Sequence, residues 1–173
     1  MMARPPLLCQ GGESRLICRG SPARSAAKKH YKDMGPRRKA REYALQMLFQ
    51  WDITHDAIDQ VAAAFFQEQP EEPPAVVEFA RQLVRGAVEH VEEIDELIRR
   101  HAEHWRLDRM ATVDRNLLRL ATQEFLYDKE TPKTVVINEA IEIARRFSTQ
   151  ESPQFINGIL DSIKKELEEG GRG

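Results

Sequence analysis

From Pro36 onward the apolar residues of this chain recur at spacings of three and four, the pattern of helices that bury one face. Ala40, Tyr43, Ala44, Met47, Leu48 and Trp51 form the first stripe, and Pro36 suits its first turn, where a missing N–H costs nothing. A second helix is predicted over about 56–68, with Ile58, Val61, Ala62, Phe65 and Phe66 inward, before "QPEEPP" (69–74) breaks the chain. A third, over about 75–90, carries Val76, Val77, Ala80, Leu83, Val84, Ala87 and Val88. It runs almost directly into a fourth over about 92–105, with Ile94, Leu97, Ile98 and Trp105 inward. Thr112 reads as the N-cap of a fifth, followed by Val113, Leu117, Leu118, Leu120, Ala121 and Phe125. After the turn "KETPK" (129–133), a sixth helix over about 134–147 carries Val136, Ile137, Ala140, Ile141, Ala144 and Phe147.

The stretch "SPQFINGILDSI" (152–163) holds an Asn-Gly pair between apolar residues, a strong hairpin signal. Period-2 alternation is absent on both sides, whereas Phe155, Ile156, Ile159, Leu160, Ile163 and Leu167 keep helical spacing. Ser152 reads as an N-cap and Pro153 as the first helical residue. The pair therefore falls inside a seventh helix, where glycine costs about 1 kcal/mol relative to alanine. Gly158 is expected to serve the close approach of a neighbouring helix or of a ligand backbone, with Asn157 as a buried hydrogen-bonding residue beside it. The fold class is all-α, with about seven helices.

Charge divides the chain. Residues 1–41 carry eleven Lys/Arg against two acids, a net of +9, and residues 42–173 carry fifteen against twenty-six, a net of −11. A basic arm on an acidic body points to an anionic partner, nucleic acid above all, or else to a solvated tail with none. Arg37, Arg38, Lys39 and Arg41 crowd the start of the first helix, where each cation opposes the macrodipole by about 0.3–1 kcal/mol. An anion meeting this cluster would compensate that cost. No apolar run approaches the roughly 18 residues of a membrane span. Cys9 and Cys18 both lie in the leader, which leaves no disulfide framework or zinc-type spacing and a body compatible with the cytoplasm. Residues 1–33 lack a secretory apolar core and only faintly suggest a transit peptide. With Met34 standing before "GPRRKARE", they are expected to be a disordered, dispensable leader from a mis-assigned start, and residues 170–173 a flexible tail.

Catalytic constellations are missing from the pattern: there is no Gly-rich phosphate loop, G-x-S-x-G or H-E-x-x-H. His101 and His104 stand at i, i+3 with no third ligand, so a structural or surface role is expected rather than a metal site. Glu92, Glu93, Asp95 and Glu96 read as a solvated helix face, and Arg119 with Glu139 as a partly buried ion pair that fixes helix register. Neither enzyme activity nor a cofactor is expected.

Three segments, "RRKAREYALQMLFQWD" (37–52), "WRLDRMATVDRNLLRLATQEF" (105–125) and "TPKTVVINEAIEIARRFSTQESPQFINGILDSI" (131–163), together resemble the NusB family of bacterial transcription antitermination factors. The likeness covers about residues 36–167, and its last segment is the most specific. It implies two packed helical subdomains and a cytoplasmic, non-enzymatic factor. Such a factor binds boxA-type single-stranded RNA with the ribosomal protein NusE, and the pair helps RNA polymerase read through terminators in ribosomal RNA transcription. The family includes both monomers and homodimers. By the same resemblance Arg37, Arg38 and Arg41 match RNA-contacting arginines, Lys39 a further basic position, and Phe49, Phe147 and Phe155 rings on the RNA side. Glu151 matches an acidic residue that affects RNA binding, and Asp114 an acidic position on the face for NusE. Three positions depart from the pattern: Phe49 where tyrosine is frequent, Ser148 where glycine is frequent, and Pro153. NusB-like domains also occur fused to RNA-cytosine methyltransferases, but methyl transfer is not expected of a chain this short. A helical scaffold that binds only protein is the alternative.

Overall fold

A computed structural model describes residues 35–102 and 105–170, and among them every regular element is helical. The helices are α1 (Pro36–Thr54), α2 (Ile58–Gln67), α3 (Pro74–Glu89), α4 (Val91–His101), α5 (Thr112–Tyr127), α6 (Lys133–Phe147) and α7 (Ser152–Gly170), with a 3-10 turn at Leu107–Arg109. The expected leader at 1–33, His104, and residues 171–173 of the expected tail lie outside the described residues. Gly170 is the last residue of α7.

Proline, more than side-chain caps, sets where helices begin. α1 opens at Pro36 after Gly35, α3 at Pro74 after Pro73, and α6 follows Pro132, while none of α1–α6 has a side-chain cap bond. Thr112 is accordingly the first residue of α5, and Ala111 holds the cap position. Ser152 is no cap either: the Phe155 N–H bonds to the Glu151 carbonyl, so the helix is entered from Glu151. The Ser152 hydroxyl turns into the protein instead. At the other end of α1, His55 closes the helix in the left-handed region at φ 57°, its N–H on the Trp51 carbonyl at 2.8 Å. The α5–α6 turn is organised by Asp128, whose carboxylate accepts from the N–H groups of Glu130 and Thr131 and from the Thr131 hydroxyl.

The helices form two groups, α1–α3 and α4–α7, that meet where α1 and α3 pack on α5. α5 is the centre, touching α1, α3, α4, α6 and α7. Nearly every residue from Val113 to Phe125 is buried, polar ones included. Each charged position on it is matched to a partner from another element, which fixes register as well as filling space. Asp114 accepts from Ser148 and Ser152 in the α6–α7 connection; Arg119 pairs with Asp95 on α4 and Asp52 on α1; Glu124 pairs with Arg41 on α1. Arg119 and Glu139 are thus each in an ion pair, but not with one another: Glu139 takes Arg38. α3 comes close at Gly86, where an added Cβ would lie 2.6 Å from Gln123 Nε2.

α4 stops earlier than its apolar spacing suggested. Ala102 leaves helical geometry at φ −98°, ψ 50°, and Leu107 and Met110 take the inward positions that follow. Trp105 consequently lies in the connection, 60% exposed, rather than in the core. Asn157 and Gly158 are likewise on the surface of α7, and an added Cβ at Gly158 would meet no atom within 4 Å. Close approach of a neighbouring helix is therefore not what the glycine serves. No described helix is long and apolar enough to cross a membrane.

Candidate nucleic-acid interface

The basic start of α1 is largely matched from within. Arg38 makes two bonds to the Glu139 carboxylate of α6 at 2.8 and 2.7 Å, and Lys39 reaches Glu72 at 2.7 Å. Arg41 is 5% exposed and bonds Glu124 through Nε and Nη2 at 2.8 and 2.6 Å. Arg37 is exposed, with Nη1 on the Thr131 hydroxyl at 3.2 Å, and both it and Arg41 lie 5.6 Å from the centroid of the Phe79 ring. The anion that compensates this cluster is thus, for three of the four cations, the chain's own carboxylate. Hydrogen bonds from Arg38, aided by its charge, hold Glu139 below the usual carboxylate range despite burial, and Arg38 is raised in turn. Burial alone would lower Arg41, yet the bonds and charge of Glu124 raise it.

Phe49 lies eight residues beyond Arg41, about 12 Å along α1, and the other expected residues belong to α5, α6 and the start of α7. Phe49 is buried there, 5% exposed. Phe147 is half-buried beneath the Arg146 guanidinium, 5.1 Å from its centroid, and Glu151 is exposed. Phe155 is half-buried and meets Trp105 edge-on at 5.5 Å. Asp114 is buried, with Ser148 Oγ and Ser152 Oγ donating to it at 2.5 and 2.7 Å, and Ser152 Oγ also lies 2.8 Å from Thr149 Oγ1. Of the nine expected residues, Arg41, Phe49 and Asp114 are buried, and the other six reach the surface at least in part.

Two long-side-chain ion pairs bridge α1 and α6, in the same order along both helices. Arg38–Glu139 joins them near their starts, and Arg146 to Glu42 at 2.9 and 2.8 Å further along. The strip so formed has Arg37 and Arg38 at one end and Phe147 and Phe155 toward the other.

Beyond that end a cleft of about 960 Å³ opens among α1, α4, α5 and the connection that follows α4. Asp52 lies in its floor, accepting from Arg115, Asn116 and Arg119. Burial by itself would raise Asp52, but the Arg115 bonds and the two arginine charges prevail and lower it. Sequence reasoning missed this floor, the hydroxyl pair on Asp114 and the exposure of Trp105. The apolar spacing held no signal for the last, since Trp105 continues the period of Ile94, Leu97 and Ile98. Across the neighbouring face His101 ties α4 to α7, Nδ1 on Ser162 at 2.7 Å and Nε2 on Glu166 at 2.5 Å, a structural role as expected. Among the described residues no group of three or more His, Cys, Asp or Glu could hold a metal.

Comparison with known proteins adds to this geometry. The sequence pattern of the NusB family matches residues 38–165. A transcription antitermination protein NusB of Koribacter versatilis is 55% identical over 134 residues, covering 78% of this chain and 92% of its own length. The corresponding Bacillus subtilis protein is 43% identical over 133 residues, covering 77% and 98%. Among solved structures, T. maritima NusB superposes with a TM-score of 0.71 at 43% identity, over 76% of this chain and 92% of that one. A crystal structure of antitermination factors NusB and NusE in complex with dsRNA gives a TM-score of 0.70 at 29% identity, over 76% and 97%.

Proposed function

The chain belongs to the NusB family, and on that premise we propose that it is a cytoplasmic transcription antitermination factor that binds boxA-type single-stranded RNA jointly with the ribosomal protein NusE and promotes read-through of ribosomal RNA transcription by RNA polymerase. The observation that carries the reading is the strip along α1 and α6. It offers an exposed guanidinium at Arg37 and a 36%-exposed one at Arg38 to phosphates, and half-exposed rings at Phe147 and Phe155 to bases. Cations for the backbone with aromatic faces for unstacked bases are what single-stranded RNA requires, and a paired duplex hides those faces.

The roles then divide. Arg37 and Arg38 contact RNA, Arg38 by giving up a partly exposed carboxylate. Lys39, anchored on Glu72, adds positive potential. Arg41 and Phe49 hold α1 in place, and Asp114 holds the α6–α7 connection, with exposed Glu151, toward both RNA and NusE. The rival, a scaffold that binds only protein, draws on the same pairing of Arg38, Lys39 and Arg41 with internal carboxylates.

Fluorescence anisotropy of the full-length chain with a labelled boxA-like RNA separates them, run over a salt series, with and without NusE, beside scrambled and duplex RNA. Sequence-selective binding tightened by NusE is expected, and Arg37→Ala and Arg38→Ala should each flatten the log–log salt slope by about 0.7. Binding that ignores sequence, partner and both arginines would establish the scaffold instead.

A further inference from the structure

Trp105 is the largest exposed apolar side chain among the described residues, 60% accessible at the mouth of the 960 Å³ cleft. A ring of this size left in water contributes nothing to the core, and its edge-on contact with Phe155 at 5.5 Å occupies only part of its surface. The cleft wall also carries Arg99 and Arg106, whose side chains are 53% and 68% exposed. Arg106 bonds Asp108 at 3.0 and 3.1 Å and Arg99 bonds Glu96 at 3.3 Å, both acids being well exposed, while the buried Asp95 lies 4.0 Å from Arg99. Exposed ion pairs of that kind contribute little, so Arg106 can turn to a phosphate at small cost, and Arg99 can leave Glu96 while Asp95 keeps its two bonds from Arg119. Beneath them the buried pairs of Asp52 with Arg115 and of Arg119 with Asp95 keep the floor rigid. An exposed aromatic face beside exchangeable arginines on a fixed base is the arrangement that holds one splayed-out nucleotide.

Resting on the RNA-binding reading above, we propose that this cleft takes one unstacked nucleotide of the bound single strand, its base against the Trp105 ring and its phosphate on Arg106 and Arg99. It lies at the end of α1 remote from Arg37, so the two ends of the helix mark the two ends of one RNA track.

The test is an abasic scan. Full-length protein is titrated with boxA-like RNAs in which one base at a time is removed, in parallel with Trp105→Ala, Trp105→Phe and Arg106→Ala. In the wild type one abasic position should lose affinity about 5- to 150-fold, the effect of a single base stack, and Trp105→Ala should bind the intact RNA weaker by the same factor. That abasic position should then cost Trp105→Ala nothing further, because base and ring act as a pair. Trp105→Phe should retain the wild-type profile, and Arg106→Ala should flatten the salt slope by about 0.7. Should Trp105→Ala fold poorly, a wild-type scan with no sensitive position would equally exclude the stack. If the wild type binds selectively but Trp105→Ala leaves affinity and profile unchanged, the cleft proposal alone is overturned. Loss of NusE binding with RNA binding intact would also overturn it, assigning the ring to the protein partner. A wild type with no selective RNA binding overturns both readings.

Discussion

At the start of α1, Arg38, Lys39 and Arg41 each lie within 2.6–2.8 Å of carboxylates from other parts of the fold, whereas around the cleft at its far end Arg106 has only exposed Asp108 on its own segment, and Arg99 bonds exposed Glu96 with the buried Asp95 of its own helix 4.0 Å away. Both regions are rich in arginine, but the partners differ in burial, and burial decides what a charge is free to do. A guanidinium matched by a buried carboxylate is part of the scaffold. One matched by a solvated acid a few residues away is a charge that can change partners. Counting Lys/Arg along the chain cannot distinguish the two, since the distinction lies in long-range contacts such as Arg41–Glu124.

The largest test of that contrast is Glu124→Ala. It leaves Arg41 buried and charged with its two bonds gone, and a loss of about 3–5 kcal/mol in unfolding free energy by urea titration is expected. Arg38→Ala, which removes a pair with 36% and 17% exposed side chains, should cost about 1 kcal/mol or less while weakening RNA binding. If the two losses were equal, burial would not be what separates Arg41 from Arg38. The same contrast makes an Arg37/Arg38/Arg41 triple substitution a poor probe of RNA contact, because its Arg41 component acts on stability.

The floor of the cleft offers a smaller, pH-dependent test. Asp52 titrates below its ordinary value of 3.8 in the folded chain. A carboxyl lowered by folding contributes stability that is fully present above the unfolded value and is lost as pH falls through the folded one. Wild type should therefore weaken below about pH 4, where Glu139 and Asp128, both also lowered, act in the same direction. Asp52→Asn should cost about 1–3 kcal/mol at pH 7, because Arg115 retains the Leu107 carbonyl and Arg119 retains Asp95. Urea titrations at pH 7 and pH 3 should show that difference shrinking in acid. A constant difference would mean the Asp52 charge is not what matters.

Helix number, order and most inward faces were legible in the sequence because apolar spacing reports burial directly. The errors share a cause. Trp105 fits the helical period, but the period says nothing of where Ala102 turns the backbone out. Ser152 and Thr112 are good caps in isolation, yet Ser152 is held more strongly by Asp114, a residue 38 positions away in the chain. The candidate site was readable as a set of residue types and a resemblance, but neither could tell that Arg41 and Phe49 face inward while Arg37 faces out. α5 is the extreme case: Asp114, Arg119 and Glu124 look solvent-facing one residue at a time and are buried because a partner arrives from another element.

Gly158 gives the smallest expected effect and bears on the far end of the track. It lies one turn beyond Phe155 on the exposed side of α7, in the interior of a nineteen-residue helix, where glycine is unfavourable by about 1 kcal/mol against alanine. Nothing within 4 Å would resist a methyl group there, so packing does not explain the residue. Gly158→Ala should raise the melting temperature by about 2–4 °C, the shift that such a free energy produces in a chain of this size. If a nucleotide strand passes over this surface on its way to the Trp105 cleft, the same substitution should weaken RNA binding, because a methyl group then stands between backbone and ligand. A more stable protein that binds RNA less well is the expected combination, read from thermal melts and anisotropy on one preparation. Unchanged affinity would place the strand away from Gly158 and route the track across the α1–α6 strip alone.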